Sequence, residues 1–378
     1  MNKKYILGGM LMSAAAFGHA QTASNVTVYG LVDTGVEHVT NVATGGGNTG
    51  SLTRMPTNTG NFPSRIGFRG TEDLGAGLKA VFTLENGFGP DTGGLNQGGR
   101  LFGRQAFVGL SGDWGTVSVG RQYTMLFWGT LDADILGSNV FGSGSLDSYL
   151  PNARADNSIA YRGTFSGFTV GATYSLGRDA TNVAVANPAA NNCAGENAAD
   201  SKQCREYSAL LKYDAPTWGA LVAYDRKYGG STGNGTTIGP TFDGLTNSGL
   251  TDTRTTVNGY VKLGQAKVGG GVILRKNEGS ATPKSNLYFV GAAYSITPAF
   301  VVDGEVYRLD TKDSPNDSNL FAVRGTYNFS KRTAAYVTAG RINNSGAATT
   351  SVSSGAPGSN SLPGGSQTGL MVGMRHAF

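Results

Sequence analysis

Apolar and polar residues alternate in about sixteen runs along this chain, and the last run stops on Phe378. In Val26–Glu37, the residues Val26, Val28, Gly30 and Val32 share one side and Thr27, Tyr29, Asp33 and Glu37 the other; Leu31 is the exception on the polar side. A period of two puts successive side chains on opposite faces of a strand. Read between Gly, Pro, Asn and Asp clusters, it predicts strands near 25–38, 62–71, 78–86, 100–110, 116–123, 157–164, 168–176, 205–214, 219–228, 252–263, 266–276, 284–295, 300–310, 318–329, 332–342 and 367–378. A strand that touches lipid must pair every backbone N–H and C=O, so this pattern calls for an antiparallel sheet closed into a membrane barrel.

The connections support closure, because they alternate in length. Tight turns at Glu72–Gly77, Gly112–Gly115, Phe165–Gly167, Ala215–Trp218, Gly264–Gln265 and Thr297–Pro298 separate long loops, the asymmetry expected of a barrel's two rims. Asn41–Asn61, Gly229–Thr251 and Asn343–Ser366 are rich in Gly, Ser, Thr and Asn, and are expected to face the cell exterior. The connection Tyr123–Asp156 differs: it carries Met125, Leu126, Phe127, Trp128, Leu131, Ile135, Leu136, Val140 and Phe141. Burying each such side chain is worth about 1.5–3 kcal/mol, so this segment is expected to fold inward against the wall and narrow the pore.

At the start, Lys3 and Lys4 precede an apolar stretch from Tyr5 to Phe17 and the small residues Gly18 and Ala20. This is the form of a signal peptide, residues 1–20, with the barrel domain over 21–378. The apolar run is shorter than the roughly 20 residues a spanning helix needs. A negative mean hydropathy of −0.18 and 39% hydrophobic residues exclude a helical membrane protein, while 15% charged residues is low for a surface fully in water. The formal charge of +5, reduced to +3 without the leader's two lysines, is too mild to suggest a nucleic-acid partner. Cys193 and Cys204 lie in one polar connection of an exported chain, so a disulfide clamping that loop is expected. No further ligands stand near them to make a metal site.

Several blocks carry a resemblance: VTVYGLVDTGVE (Val26–Glu37), SRIGFRGTEDLGAGLKAVFTLENGF (Ser64–Phe88), GGRLFGRQAFVGLSGDWGTVSVGRQY (Gly98–Tyr123) and GLMVGMRHAF (Gly369–Phe378). Over its whole mature length the chain resembles the general porins of Gram-negative bacteria, beta-proteobacterial type. The resemblance implies a closed 16-stranded transmembrane β-barrel with its third loop folded into the lumen. It also implies a homotrimer in the outer membrane, among lipopolysaccharide and outer-membrane lipid. The implied activity is passive diffusion of small ions and hydrophilic solutes, with no cofactor. The terminal Phe378 resembles the signal read by the barrel-assembly machinery.

Candidate selectivity residues follow partly from alternation. Ile66 and Phe68 toward lipid send Arg65 and Arg69 into the lumen, and Phe107 toward lipid would send Arg104 the same way. Arg154 matches the family's third constriction arginine. Arg65, Arg104 and Arg154 form the expected cluster; guanidinium groups stay charged and offer several donors to an anion. Asp132 and Asp134, with Asp147 behind them, are the acids of the inward segment, and family likeness sets them across the gap. Asp33, Glu37 and Glu85 are wall carboxylates that inward arginines would balance, with Arg69, Arg100 and Arg121 more often in that balancing role. The expected outcome is moderate anion preference.

Other signals fail. GAGLKA (Gly75–Ala80) formally fits a dinucleotide fingerprint, but a strand follows it where that motif needs a helix. An outer-membrane hydrolase would need a nucleophile, base and orienting acid; after the leader only His38 and His376 remain, with no nucleophile-elbow sequence. A sugar-specific channel would show an aromatic slide, whereas Trp114, Trp128 and Trp218 are scattered.

Overall fold

The computed structural model describes residues 25–56, 61–179, 193–230, 244–354 and 358–378. The leader expected over residues 1–20 lies outside the described residues. The strands are β1 (Asn25–Gly45), β2 (Asn48–Arg54), β3 (Arg65–Gly75), β4 (Leu78–Gly87), β5 (Gln105–Gly112), β6 (Gly115–Tyr123), β7 (Arg154–Phe165), β8 (Phe168–Ser175) and β9 (Glu206–Asp214). They continue as β10 (Trp218–Tyr228), β11 (Thr251–Leu263), β12 (Ala266–Asn277), β13 (Lys284–Ser295), β14 (Phe300–Thr311), β15 (Ser318–Asn328), β16 (Thr333–Asn344) and β17 (Ser366–Ala377). Between β6 and β7 stand the short helices α1 (Met125–Thr130) and α2 (Ser143–Leu146).

All 17 strands belong to one antiparallel sheet, and 16 of them make the closed barrel wall. The remaining strand, β2, is a short arm folded back on the extended end of β1, with Glu37 opposite Arg54. Closure runs through β1, which pairs with β3 on one edge (Val28 opposite Phe68) and with β17 on the other (Val36 opposite Val372). The Gly30 and Phe378 backbones seal the seam, each donating its N–H to the other's carbonyl at 3.1 Å. Each of the 16 wall strands thus has a neighbour on both sides, while β2 pairs with β1 alone.

Alternation holds around the wall. Val26, Val28, Val32 and Val36 of β1 are exposed, as are Leu370, Val372 and Met374 of β17, while Asp33, Glu37, Val39 and Met371 on the alternate positions are buried. An exposed apolar band facing lipid and a buried polar lining follow from the period of two.

Two departures from the sequence reading stand out. The connection 345–365 carries buried residues where only exterior exposure was expected: Ser351, Val352 and Ser353 are 0% exposed. Val352 explains it, an apolar side chain packed near Phe141, its carbonyl accepting from Phe141 N–H at 3.1 Å and Ser145 Oγ at 3.0 Å. Second, residues 100–104 are not strand, and β5 begins at Gln105. Gly98 and Gly99 adopt φ of +74° and +80° there, turning the chain where Leu101 and Phe102 alone suggested strand.

Candidate functional site

Arg65 opens β3, and alternation places Arg65 and Arg69 opposite in direction to exposed Ile66 and Phe68. Arg104 arrives by another route than expected. Phe107 pairs with Thr83 and so shares the face of Glu85, while Val108 and Leu110 are the exposed residues of β5; Phe107 does not point to lipid. Arg104 instead stands in the bend before β5, where alternation does not apply, and its guanidinium turns toward Glu85.

Glu85 and Tyr123 join these groups. Glu85 Oε1 accepts from Arg104 Nε at 2.6 Å, and Oε2 accepts from the Tyr29 hydroxyl at 2.9 Å and lies 3.7 Å from Arg65 Nε. Arg104 Nη2 and Arg154 Nη2 donate to the Tyr123 hydroxyl at 2.5 and 3.1 Å, and Arg154 Cζ lies 4.5 Å over the Tyr123 ring. Arg104 and Arg154 are buried, whereas the Arg65 side chain is 28% exposed. Next along the same wall, Asp156 holds Arg121 at 2.5 Å and Arg100 at 3.1 Å. Tyr123, which ties the arginines together, was not among the sequence candidates; its position as the last residue of β6, just before an apolar connection, was the available signal.

Asp33 and Glu37 have other partners. Asp33 accepts from the Tyr336 hydroxyl at 2.6 Å and from the N–H groups of Asn61 and Phe62, and Glu37 holds Arg54 at 2.6 Å. Asp132 and Asp134 do not meet the arginine trio. Asp132 pairs with Lys212 at 2.6 Å, and Lys212 also holds Asp214 at 2.8 Å. Asp134 is buried, accepting from Ser143 Oγ at 2.5 Å, Gly137 N–H at 3.0 Å and the Tyr307 hydroxyl at 2.8 Å. That hydroxyl also stands 2.8 Å from Glu305, so with one hydrogen to give, it serves one carboxyl at a time. Burial pushes the Asp134 carboxyl up from its ordinary pKa, with the bonds from Ser143 and Tyr307 opposing.

The connection 124–153 bonds to many strands: Met125 N–H to Ser208 Oγ, Gly129 C=O from Asn258, Leu136 N–H to Glu305, and Asp147 with Arg254 at 2.7 Å. The Tyr149 hydroxyl donates to Glu206 and lies 3.2 Å from Asp225, and Phe141 packs so close to Gly340 and Gly369 that a Cβ on either would overlap its ring. Burial would raise the Asp147 carboxyl, but the Arg254 and Arg275 guanidinium groups hold it below its ordinary value. Around Arg254, Asp252 gathers Arg275 and Lys227 as well. On β3 to β7 guanidinium groups thus outnumber Glu85 and Asp156, whereas on β9 to β14 carboxylates are matched with cations, Asp214 with Lys212 and Asp252 with Lys227, Arg254 and Arg275.

Nearer the short turns, Lys262 and Lys267 flank the Tyr260 ring at 5.5 and 4.7 Å, and neither makes an ion pair among the described residues. Cys193 and Cys204 form a disulfide. The rings of His38 and His376 each hydrogen-bond with a threonine hydroxyl, Thr53 and Thr333. Among the described residues no group of three or more His, Cys, Asp or Glu could hold a metal ion.

Comparison with known proteins gives a consistent picture. The family model of the Gram-negative porins matches residues 9–347. An outer membrane porin protein of Bordetella pertussis is 31% identical over 88% of this chain and 92% of its own length. Outer membrane porin protein 32 of Delftia acidovorans is 30% identical over 96% of this chain and 97% of its own. Among solved structures, an anion-selective porin from Comamonas acidovorans superposes with a TM-score of 0.69, at 26% identity, covering 94% of this chain and 100% of that one.

Proposed function

The chain belongs to the Gram-negative porins, outer-membrane channel proteins rather than enzymes, and from that premise we propose that it is a general diffusion pore with moderate anion preference. The observation that carries this reading is the convergence of Arg65, Arg104 and Arg154 on Glu85 and Tyr123. Arg65 and Arg104 share the one carboxylate of Glu85 and Arg154 joins them through Tyr123, so guanidinium outnumbers carboxylate in that network and the local field is positive. Arg104 and Arg154 build it from behind, and the more exposed Arg65, with Arg69, is the group a passing anion meets.

The connection 124–153 lies within the lumen and forms the narrowing. What supports this is the set of strands it touches, from β8 round to β17, since a single segment can reach that much of a closed wall from inside it. Asp147 and Tyr149 fasten its far end and Asp134 its middle. Guanidinium groups clustered on one side of the lumen give a field across the pore as well as a net sign, which orients a dipolar solute as it passes.

On the same reading the chain works as a homotrimer among outer-membrane lipid and lipopolysaccharide, after removal of residues 1–20. It is inserted by the barrel-assembly machinery through the strand that ends on Phe378. Planar bilayers under a salt gradient test the central claim. A reversal potential on the anion side is expected, and a cation-side potential refutes it.

A further inference from the structure

Two arginines stand on the lipid-facing side of the wall without a counter-charge among the described residues. Arg226 occupies the same face of β10 as exposed Trp218 and Val222, while Asp225 and Lys227 beside it are buried on the other face. Arg205 directly precedes β9, and its carbonyl accepts from Tyr228 N–H at 2.8 Å, which sets it level with the top of β10. Neither side chain forms an ion pair among the described residues, and the Nε atoms of both are buried without a hydrogen-bond partner. Both are half-buried among tyrosines: Arg226 Cζ is 5.0 Å over the Tyr228 ring and Arg205 Cζ 5.6 Å over the Tyr174 ring. The ring centroids of Tyr207 and Tyr224 lie 6.1 Å apart, and those of Tyr207 and Tyr228 6.2 Å.

Their height on the barrel identifies what could face them. Trp218 begins β10 beside a short turn. Arg226 is about eight residues further along; at a rise of about 3.3 Å per residue and a tilt of about 40°, that is roughly 20 Å higher. An apolar band about 25 Å tall, with aromatic girdles at both edges, then has Trp218 in one girdle and the four tyrosines in the other. Arg205 and Arg226 therefore sit at head-group level at the rim that bears the long loops. A cation held in that layer without a protein carboxylate is compensated by the membrane. Guanidinium suits phosphate through charge-assisted, forked hydrogen bonds, and the tyrosine faces keep each group flat and extended toward the lipid.

We propose that Arg205 and Arg226 form a binding site for the phosphate head group of a membrane lipid, with Tyr174, Tyr207, Tyr224 and Tyr228 as its floor. The inference rests on the reading of this wall as facing outer-membrane lipid. It is independent of ion preference in the lumen.

The test uses the whole barrel, purified in uncharged detergent, with diphosphoryl lipid A as the probe and the same lipid after removal of its phosphates as the control. Native mass spectrometry counts bound lipid, and heat-induced unfolding on gels reports the stabilisation. Wild type is expected to bind the phosphorylated probe and gain thermal stability, and R205A/R226A to bind it about tenfold more weakly or less. K276A, whose lysine already holds Glu278 at 2.7 Å, is expected to match wild type. Should the double variant not fold, R226Q and the salt dependence of wild-type binding take its place, with weaker binding expected in each. Equal binding by the double variant, equal binding of the dephosphorylated lipid, or displacement by millimolar inorganic phosphate overturns the lipid site. Bilayer selectivity measured on the same variants is expected to stay unchanged, which separates failure of this site from failure of the pore reading.

Discussion

Arg65→Gln removes one lumen charge while leaving the wall intact, because Arg104, not Arg65, makes the close bond to Glu85 (2.6 Å against 3.7 Å). For an anion passing about 6 Å from the guanidinium at an effective dielectric of about 50, the attraction is about 1 kcal/mol. Screening at 0.1 M salt, with a Debye length near 10 Å, leaves about 0.6 kcal/mol. That is roughly a threefold change for the anion and an opposite one for a cation, so their permeability ratio is expected to fall by roughly three- to tenfold. At 1 M salt, with a Debye length near 3 Å, the same substitution is expected to change the ratio less than about twofold. Reversal potentials across planar bilayers at the two salt levels measure both numbers. If Arg65→Gln leaves the potential at 0.1 M unchanged in a barrel of normal conductance, the arginine cluster does not set selectivity. If its effect is as large at 1 M, the cause is not electrostatic.

The remaining expectations concern what holds the pore in shape. Phe141→Ala empties the contact with Val352, Gly340 and Gly369 and is expected to cost about 3 kcal/mol or more of stability, seen as a lower unfolding midpoint together with noisier single-channel currents; quiet currents at normal stability would deny Phe141 that role. Reducing the Cys193–Cys204 bridge, which closes a separation of 11 residues, is expected to lower stability by up to about 3 kcal/mol with conductance unchanged, and a changed conductance would place that loop at the pore. The Asp147 carboxyl is held below its ordinary pKa by Arg254, so its contribution is present above the unfolded value near 4 and lost as pH falls through the folded one. Closures induced by acid are accordingly expected below about pH 4 in wild type, and in Asp147→Asn already at neutral pH. Gly30→Ala places a methyl against the Phe378 ring, which a Cβ would approach to 2.2 Å, and is expected to reduce the yield of folded barrel in heat-shift gels.

The strands were legible because lipid and water enforce alternation independently of any partner. Each segment of about ten residues carries its own pattern, and the boundaries slip only where something local intervenes. Positive-φ glycines delay β5 to Gln105, and Val39 and Val42 extend β1 past residue 38 because they pack into the buried cluster. The exterior loops were harder. Composition alone marks 345–365 as solvent-exposed, and only the folded chain shows Val352 seated near Phe141, some two hundred residues away in sequence.

The inward arginines could be named from sequence, but their charge state as a group could not, because pairing depends on strands far apart in the chain. Arg54 and Arg324 face Glu37 and Asp303 and are locally neutralised. Arg65 and Arg104 share the one carboxylate of Glu85, and Lys262 and Lys267 make no ion pair among the described residues. On the proposed reading, preference for anions comes from this excess rather than from the number of arginines, which is why it should be moderate, as most of the wall cancels. Because Lys262 and Lys267 lie toward the short turns while the trio lies above, the excess is spread along the pore. A pore charged unevenly along its axis passes current unequally in its two directions. Reversing both lysines, in K262E/K267E, is therefore expected to change the ratio of currents at opposite voltages more than the reversal potential, whereas Arg65→Gln does the opposite. Equal effects of the two variants on both readouts would mean that the excess acts at a single point.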